Sequence, residues 1–92
     1  MKLALEFLIP AEKGNITAKD GTLVQAINDL AKEADAEAVY LYVKDGKRGG
    51  MMIYDESDSA RMPVINEPFF QAVDAEISIT PVTKLEDLMK VI

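Results

Sequence analysis

Glu6 interrupts an otherwise apolar opening, "MKLALEFLIP", and three tyrosines, Tyr40, Tyr42 and Tyr54, follow at even positions further along. These four side chains are the plausible acid–base groups of the chain, because its 92 residues include no histidine and no cysteine. Without histidine the commonest general base and the commonest transition-metal ligand are missing. Without cysteine there are no thiolate nucleophiles, thiolate metal sites or disulfides. A glutamate desolvated between Ala4 and Leu8 is expected to have its pKa raised toward neutrality, which suits a general base. The plainer reading makes Glu6 an interface carboxylate bonded to a tyrosine or to Lys2, since acids removed from water are normally paired. The tyrosines divide in the same way, between binding or protonating a ligand and amphipathic packing at a subunit seam.

The acids of "YDESDS" offer a second candidate. Asp55, Glu56 and Asp58 could clamp magnesium or calcium, but they lack the alternating ligand spacing and turn glycine of a calcium loop. Acids just before a helix also stabilise its N-terminus, so a capped turn is the simpler expectation and no metal site is assigned. Arg61 and Lys84 stand alone as cations for an anionic ligand. Met51, Met52 and Met62 read as core or seam filler, and nothing in the sequence calls for a cofactor.

Charge narrows the partners. Sixteen acids against ten bases give a net charge of −6, which repels phosphate backbones and anionic lipid surfaces. The one basic cluster, Lys44, Lys47 and Arg48, falls in an expected hairpin turn. No apolar run reaches membrane-spanning length, and the opening segment is too short and too interrupted for a signal peptide, so a cytoplasmic location is expected.

The elements that must position these residues follow from periodicity. Lys2 to Ile9 alternates and reads as a strand closed by Pro10. "AEKGNITAKDG" reads as loop, with Gly14, Asn15 and Gly21 as breakers. The apolar spacing from about Thr22 to Ala34 predicts a helix. Glu37 to Val43 and Gly50 to Asp55 read as strands joined by a hairpin turn over "KDGKRGG", in which Asp45-Gly46 tolerates the positive φ a tight turn requires. A second helix is expected from Met62-Pro63, capped by Asp58 or Ser59 and kinked near Asn66 by Pro68. Ala75 to Val82 reads as a fourth strand. "TKLEDLMKVI" reads as a short helix with Thr83 and Glu86 spaced as a capping box.

This order, βαββαβ plus a terminal helix, predicts one α+β domain over residues 1–92. It is a ferredoxin-like four-stranded antiparallel sheet with two helices on one face. Together with "GGMMIYDESDSARMPVINEPFFQAVDAEISITPV", the order resembles small bacterial members of the dimeric α+β-barrel superfamily, related in fold to muconolactone isomerases and cofactor-free monooxygenases. The resemblance implies a homodimer closed through the free sheet face, with a small hydrophobic molecule bound near the sheet. The free face is expected to carry Ala4, Glu6, Leu8, Tyr40, Tyr42, Ser78, Thr80 and Val82, joined by Met52 and Tyr54. Three functions fit: a ligand-binding or purely structural homodimer, a cofactor-free oxygenase or isomerase using Glu6, or a regulatory interaction module. With carboxylates as the only strong ligands, transition metals should not support folding. Thermal melting curves with and without a chelator are expected to coincide, and a shift of several degrees would contradict the capped-turn reading of the acids.

Overall fold

Leu3, Leu5, Phe7 and Ile9 alternate with Lys2, Ala4, Glu6 and Leu8, and a pleated strand sends two such sets to opposite faces. In the computed structural model, which describes residues 1–92, this stretch is strand β1 (Lys2–Ile9), and its odd-numbered set is buried. The chain continues through α1 (Ala11–Asp20), α2 (Thr22–Ala34), β2 (Ala38–Lys44), β3 (Lys47–Asp55), α3 (Arg61–Val73), β4 (Glu76–Pro81) and α4 (Leu85–Met89). The strands form one antiparallel sheet in the order β2-β3-β1-β4. β1 and β2 therefore run parallel with β3 inserted between them, the split β-α-β arrangement. β1 and β3 lie inside, while β2 and β4 are edges.

The core lies between α2 and α3 and one sheet face. Leu23, Leu30, Ile65, Phe69 and Val73 meet Leu3, Leu5, Phe7, Met52 and Tyr54 there. Phe7 and Phe69 make an edge-to-face pair with ring centres 5.1 Å apart, a geometry aromatic rings favour. Phe7 can lie over β3 because its partner in the β1–β3 register is Gly50. A Cβ at Gly50 would come within 2.5 Å of Phe7 Cζ and 2.7 Å of the Tyr40 carbonyl oxygen.

Several expectations are revised. The segment after Pro10 is not a loop but helix α1, despite its poor helix formers. Tertiary packing supplies what propensity lacks. Gly14 is buried, with the Arg48 and Ile9 side chains where its own would be, and the buried Thr17 hydroxyl donates to the Lys13 carbonyl at 2.8 Å. Gly21, at φ 85°, is the single residue that ends α1 and begins α2. α3 runs unbroken through Pro68. The carbonyl of Val64, deprived of its usual donor, belongs to an exposed residue, and Ile65 and Phe69 anchor both halves in the core. Its N-cap residue is Ala60, whose N–H donates to Asp58 Oδ1 at 3.0 Å. α4 starts after Lys84 with no side-chain cap, so the Thr83–Glu86 capping box does not form, and none of its residues is buried.

β3 begins earlier than expected, at Lys47, because the turn is only Asp45 and Gly46, both at positive φ. Its faces also differ from expectation. Register with β1 pairs Tyr54 with Leu3 and Met52 with Leu5, which places both in the core rather than on the free face. Met51 and Ile53 take their places opposite the helices. Gly50→Ala is expected to cost about 1–3 kcal/mol, the usual range for forcing atoms into a packed site. Urea unfolding that detects no loss would show that Phe7 can move aside freely.

Candidate functional site

The sheet face away from the helices brings together three of the side chains singled out above. Met51 lies at its middle, paired with Glu6 on β1 and with Tyr40 on β2. Tyr42 pairs with Gly49, which in turn pairs with Leu8. Gly49 is buried, and a Cβ there would come 2.7 Å from Leu8 Cδ2 and 3.3 Å from Tyr42 Cε1. Its bare backbone lets the Tyr42 ring lean across β3 toward β1. The phenol oxygen then donates to Glu6 Oε2 at 2.5 Å and lies 3.2 Å from the Gly50 carbonyl oxygen. Lys44 Nζ completes the group, 3.1 and 3.2 Å from the two oxygens of Glu6.

Electrostatics within this trio run opposite to the expectation for a general base. The hydrogen bond from Tyr42, followed by that from Lys44, holds the Glu6 carboxyl below the usual glutamate range. Burial, reinforced by the Glu6 acceptor, pushes the Tyr42 phenol up to about 12. At neutral pH the group is thus a carboxylate, a neutral phenol and an ammonium. It can orient a polar end of a ligand, but it has no group poised to take a proton. The lysine bonded to Glu6 is Lys44, not Lys2, which binds Glu37 and Asp55 instead. Even-position parity along β2 was the signal that could have pointed to Lys44. The sheet order that brings β2 within reach of β1 was not visible.

Tyr54 stands apart from the other tyrosines. It is buried on the helix side, where burial and then the nearby Glu56 charge raise its pKa, and its hydroxyl has no hydrogen-bond partner. Such an unsatisfied group costs stability and has no path to a ligand on the free face. The acids after β3 each have separate duties. Asp55 binds Lys2, Asp58 accepts the Ala60 N–H, and the buried Glu56 faces Arg61 Nη1 at 3.6 Å while accepting the Asp58 N–H at 3.2 Å.

No protein-family model and no curated protein sequence matches this chain. Among solved structures, the de novo designed protein Ferredog-Diesel is similar over 88% of this chain and 85% of its own, with 12% identity and a TM-score of 0.50. A REP-associated tyrosine transposase bound to a REP hairpin is similar over 98% of this chain, with 12% identity and a TM-score of 0.51. This chain spans 61% of the length of that transposase. At such identities the likeness concerns fold alone. The chain has a small α+β fold compatible with the ferredoxin-like arrangement. No helix is long and apolar enough to cross a membrane.

The linkage of the trio has a definite sign. A carboxyl whose folded pKa is depressed stabilises above its unfolded pKa, and that contribution disappears as pH falls through the folded value. A phenol whose folded pKa is raised stabilises below its ordinary value near 10, and the contribution is lost as pH rises from about 10 toward 12. Glu6→Gln should therefore lower the melting temperature at neutral pH, by a modest amount because Lys44 is half exposed and water screens the pair. The difference from wild type should vanish in acid. A Glu6→Gln protein that melts higher than wild type at pH 7 would reverse this assignment. In spectrophotometric titration, Tyr42→Phe should remove a phenol that ionises near 12.

Proposed function

We propose that the chain is the subunit of a homodimer closed through its bare sheet faces, and that the seam binds a small, largely hydrophobic molecule without transforming it. One observation carries this reading. Tyr40, Leu8, Met51 and Ile53 surround the Glu6–Tyr42–Lys44 trio on a face that leaves Tyr40 exposed and the other three only half buried. A surface apolar enough to be costly in water, yet organised around one polar group, suits a partly wet interface better than free solvent. The resemblance to dimeric α+β barrels supports the same closure.

The trio argues for binding over catalysis. Glu6 is already satisfied by two donors and is ionised at neutral pH, so the oxygenase or isomerase alternative lacks the raised carboxyl it needs. A neutral phenol and an ammonium still offer donors to a carbonyl or carboxylate at the polar end of a ligand. The net charge of −6 argues against a nucleic-acid partner, including one like the hairpin bound by the transposase of similar fold.

Met51 sits between Glu6 and Tyr40, so a charge placed there meets the seam at its centre. Sedimentation velocity at micromolar concentration should show wild type assembled from 10.1-kDa chains through this face, with Met51→Lys halving the mass of the assembly while remaining folded. Native mass spectrometry of gently purified wild type should reveal a small bound molecule that Met51→Lys loses. A monomeric wild type, or an assembly unchanged by Met51→Lys, would rule the face-to-face dimer out.

A further inference from the structure

β2 carries a sequence feature that the free-face reading does not use. Val39-Tyr40-Leu41-Tyr42-Val43 is the same read in either direction. It forms a sheet edge, so one side of its backbone has no strand beside it. Val39, Tyr40, Leu41 and Val43 are 36%, 62%, 65% and 78% exposed. The helix layer stops short of this edge, leaving an apolar hollow of about 330 Å³ whose walls include Leu23 and Ile27 of α2 and Leu41 and Val43 of β2. Natural sheets blunt their edges with proline, bulges or inward charges. In β2 such a device is confined to one end, where Lys44 reaches inward to Glu6; pairing with β3 is continuous from Ala38 to Lys44, and the middle five residues are all apolar or aromatic.

We propose that β2 is an assembly edge, through which two copies join antiparallel about a two-fold axis at Leu41 to make one continuous eight-stranded sheet. A two-fold interface requires a self-complementary surface, and an antiparallel strand is self-complementary when its sequence is palindromic. Leu41 then faces Leu41 of the second copy, Val39 faces its Val43, and both pairs lie on the helix side above the hollow. Tyr40 lies opposite Tyr42 of the second copy on the other side, where the Tyr42 ring already leans inward over Gly49 and leaves room beside it. Ala38 faces Lys44, so no like charges meet within the strand. Moving the axis to Val39 or Val43 would instead set Leu41 against Glu37 or Asp45.

Backbone geometry agrees with this register. Lys44 and Lys47 close the two-residue turn, so they form a hydrogen-bonded pair, and such pairs alternate along an antiparallel ladder. Tyr42 and Tyr40 therefore direct their backbone groups toward β3. Val39, Leu41 and Val43 direct theirs outward, where the Leu41-centred register matches outward groups with outward groups.

Because the chain has no cysteine, one introduced thiol reports the contact cleanly. In the proposed register the Cα atoms of two copies of residue 41 lie about 5.5 Å apart, within disulfide reach. Those of residue 43 lie about 14 Å apart, out of reach. Under mild oxidation Leu41→Cys should form covalent dimer at least tenfold faster than Val43→Cys, while an equimolar mixture of Val39→Cys and Val43→Cys chains should cross-link with each other. Equal rates for Leu41→Cys and Val43→Cys, or no cross-linking of Leu41→Cys, would overturn the proposal. A second measurement avoids thiols: Leu41→Lys and Leu41→Glu should each lose the edge contact in sedimentation, and mixing them should restore it. Recovery absent on mixing would count equally against it. Leu41 and Met51 lie on opposite sheet faces, so these tests read the edge whether or not the face-to-face dimer exists.

Discussion

Gly49 and Gly50 govern both faces of this sheet. They are consecutive residues of an inner strand, so the missing side chains fall on opposite sides. On the helix side, Phe7 lies over Gly50 and reaches Phe69, joining β1 to α3 at the centre of the core. On the other side, Tyr42 lies over Gly49 and reaches Glu6, joining an edge strand to an inner strand two positions away. Glycine inside a strand ordinarily weakens it, because backbone entropy is lost without side-chain packing in return. Here two aromatic rings occupy the space and restore the packing.

The polar trio on the free face follows from that constraint. Lone carboxylates on apolar strands are costly, and Glu6 avoids the cost through a neutral phenol and an ammonium delivered from β2. The arrangement favours the ionised carboxyl of Glu6 and the neutral phenol of Tyr42. It also ties the far edge of the sheet to its middle, which matters for a strand with a neighbour on one side only. Tyr42 thus serves the free face with both its ring and its hydroxyl.

A chain of this length buries about 60% of its unfolded surface, so its surfaces are rarely all self-sufficient. Three apolar regions are left incomplete by the single chain: the bare sheet face, the β2 edge and the exposed Leu85, Leu88 and Met89 of α4. The first two differ in the symmetry axis they would use, one lying between stacked sheets and the other running through a shared sheet. A protein using both would build a closed tetramer where the axes cross at right angles and an open array where they do not meet.

Alternation alone determined β1, and the Asp-Gly pair located the β2–β3 turn, though not that β3 already begins at Lys47. The spacing of α2 and the existence of α3 were legible for the same reason. The face assignment of β3 was not. Met51, Met52, Ile53 and Tyr54 are all apolar, so alternation carries no information there, and only pairing with β1 decides which of them are buried. α1 was hidden because Gly14, Asn15 and Thr17 disfavour a helix locally, while the gain from seating Gly14 against Arg48 is tertiary. Glu6 was recognisable as an acid in need of a partner. That the partners are Tyr42 and Lys44, and that its pKa falls instead of rising, depends on a strand order that places β2 beside β3 and on a glycine that lets a ring cross it.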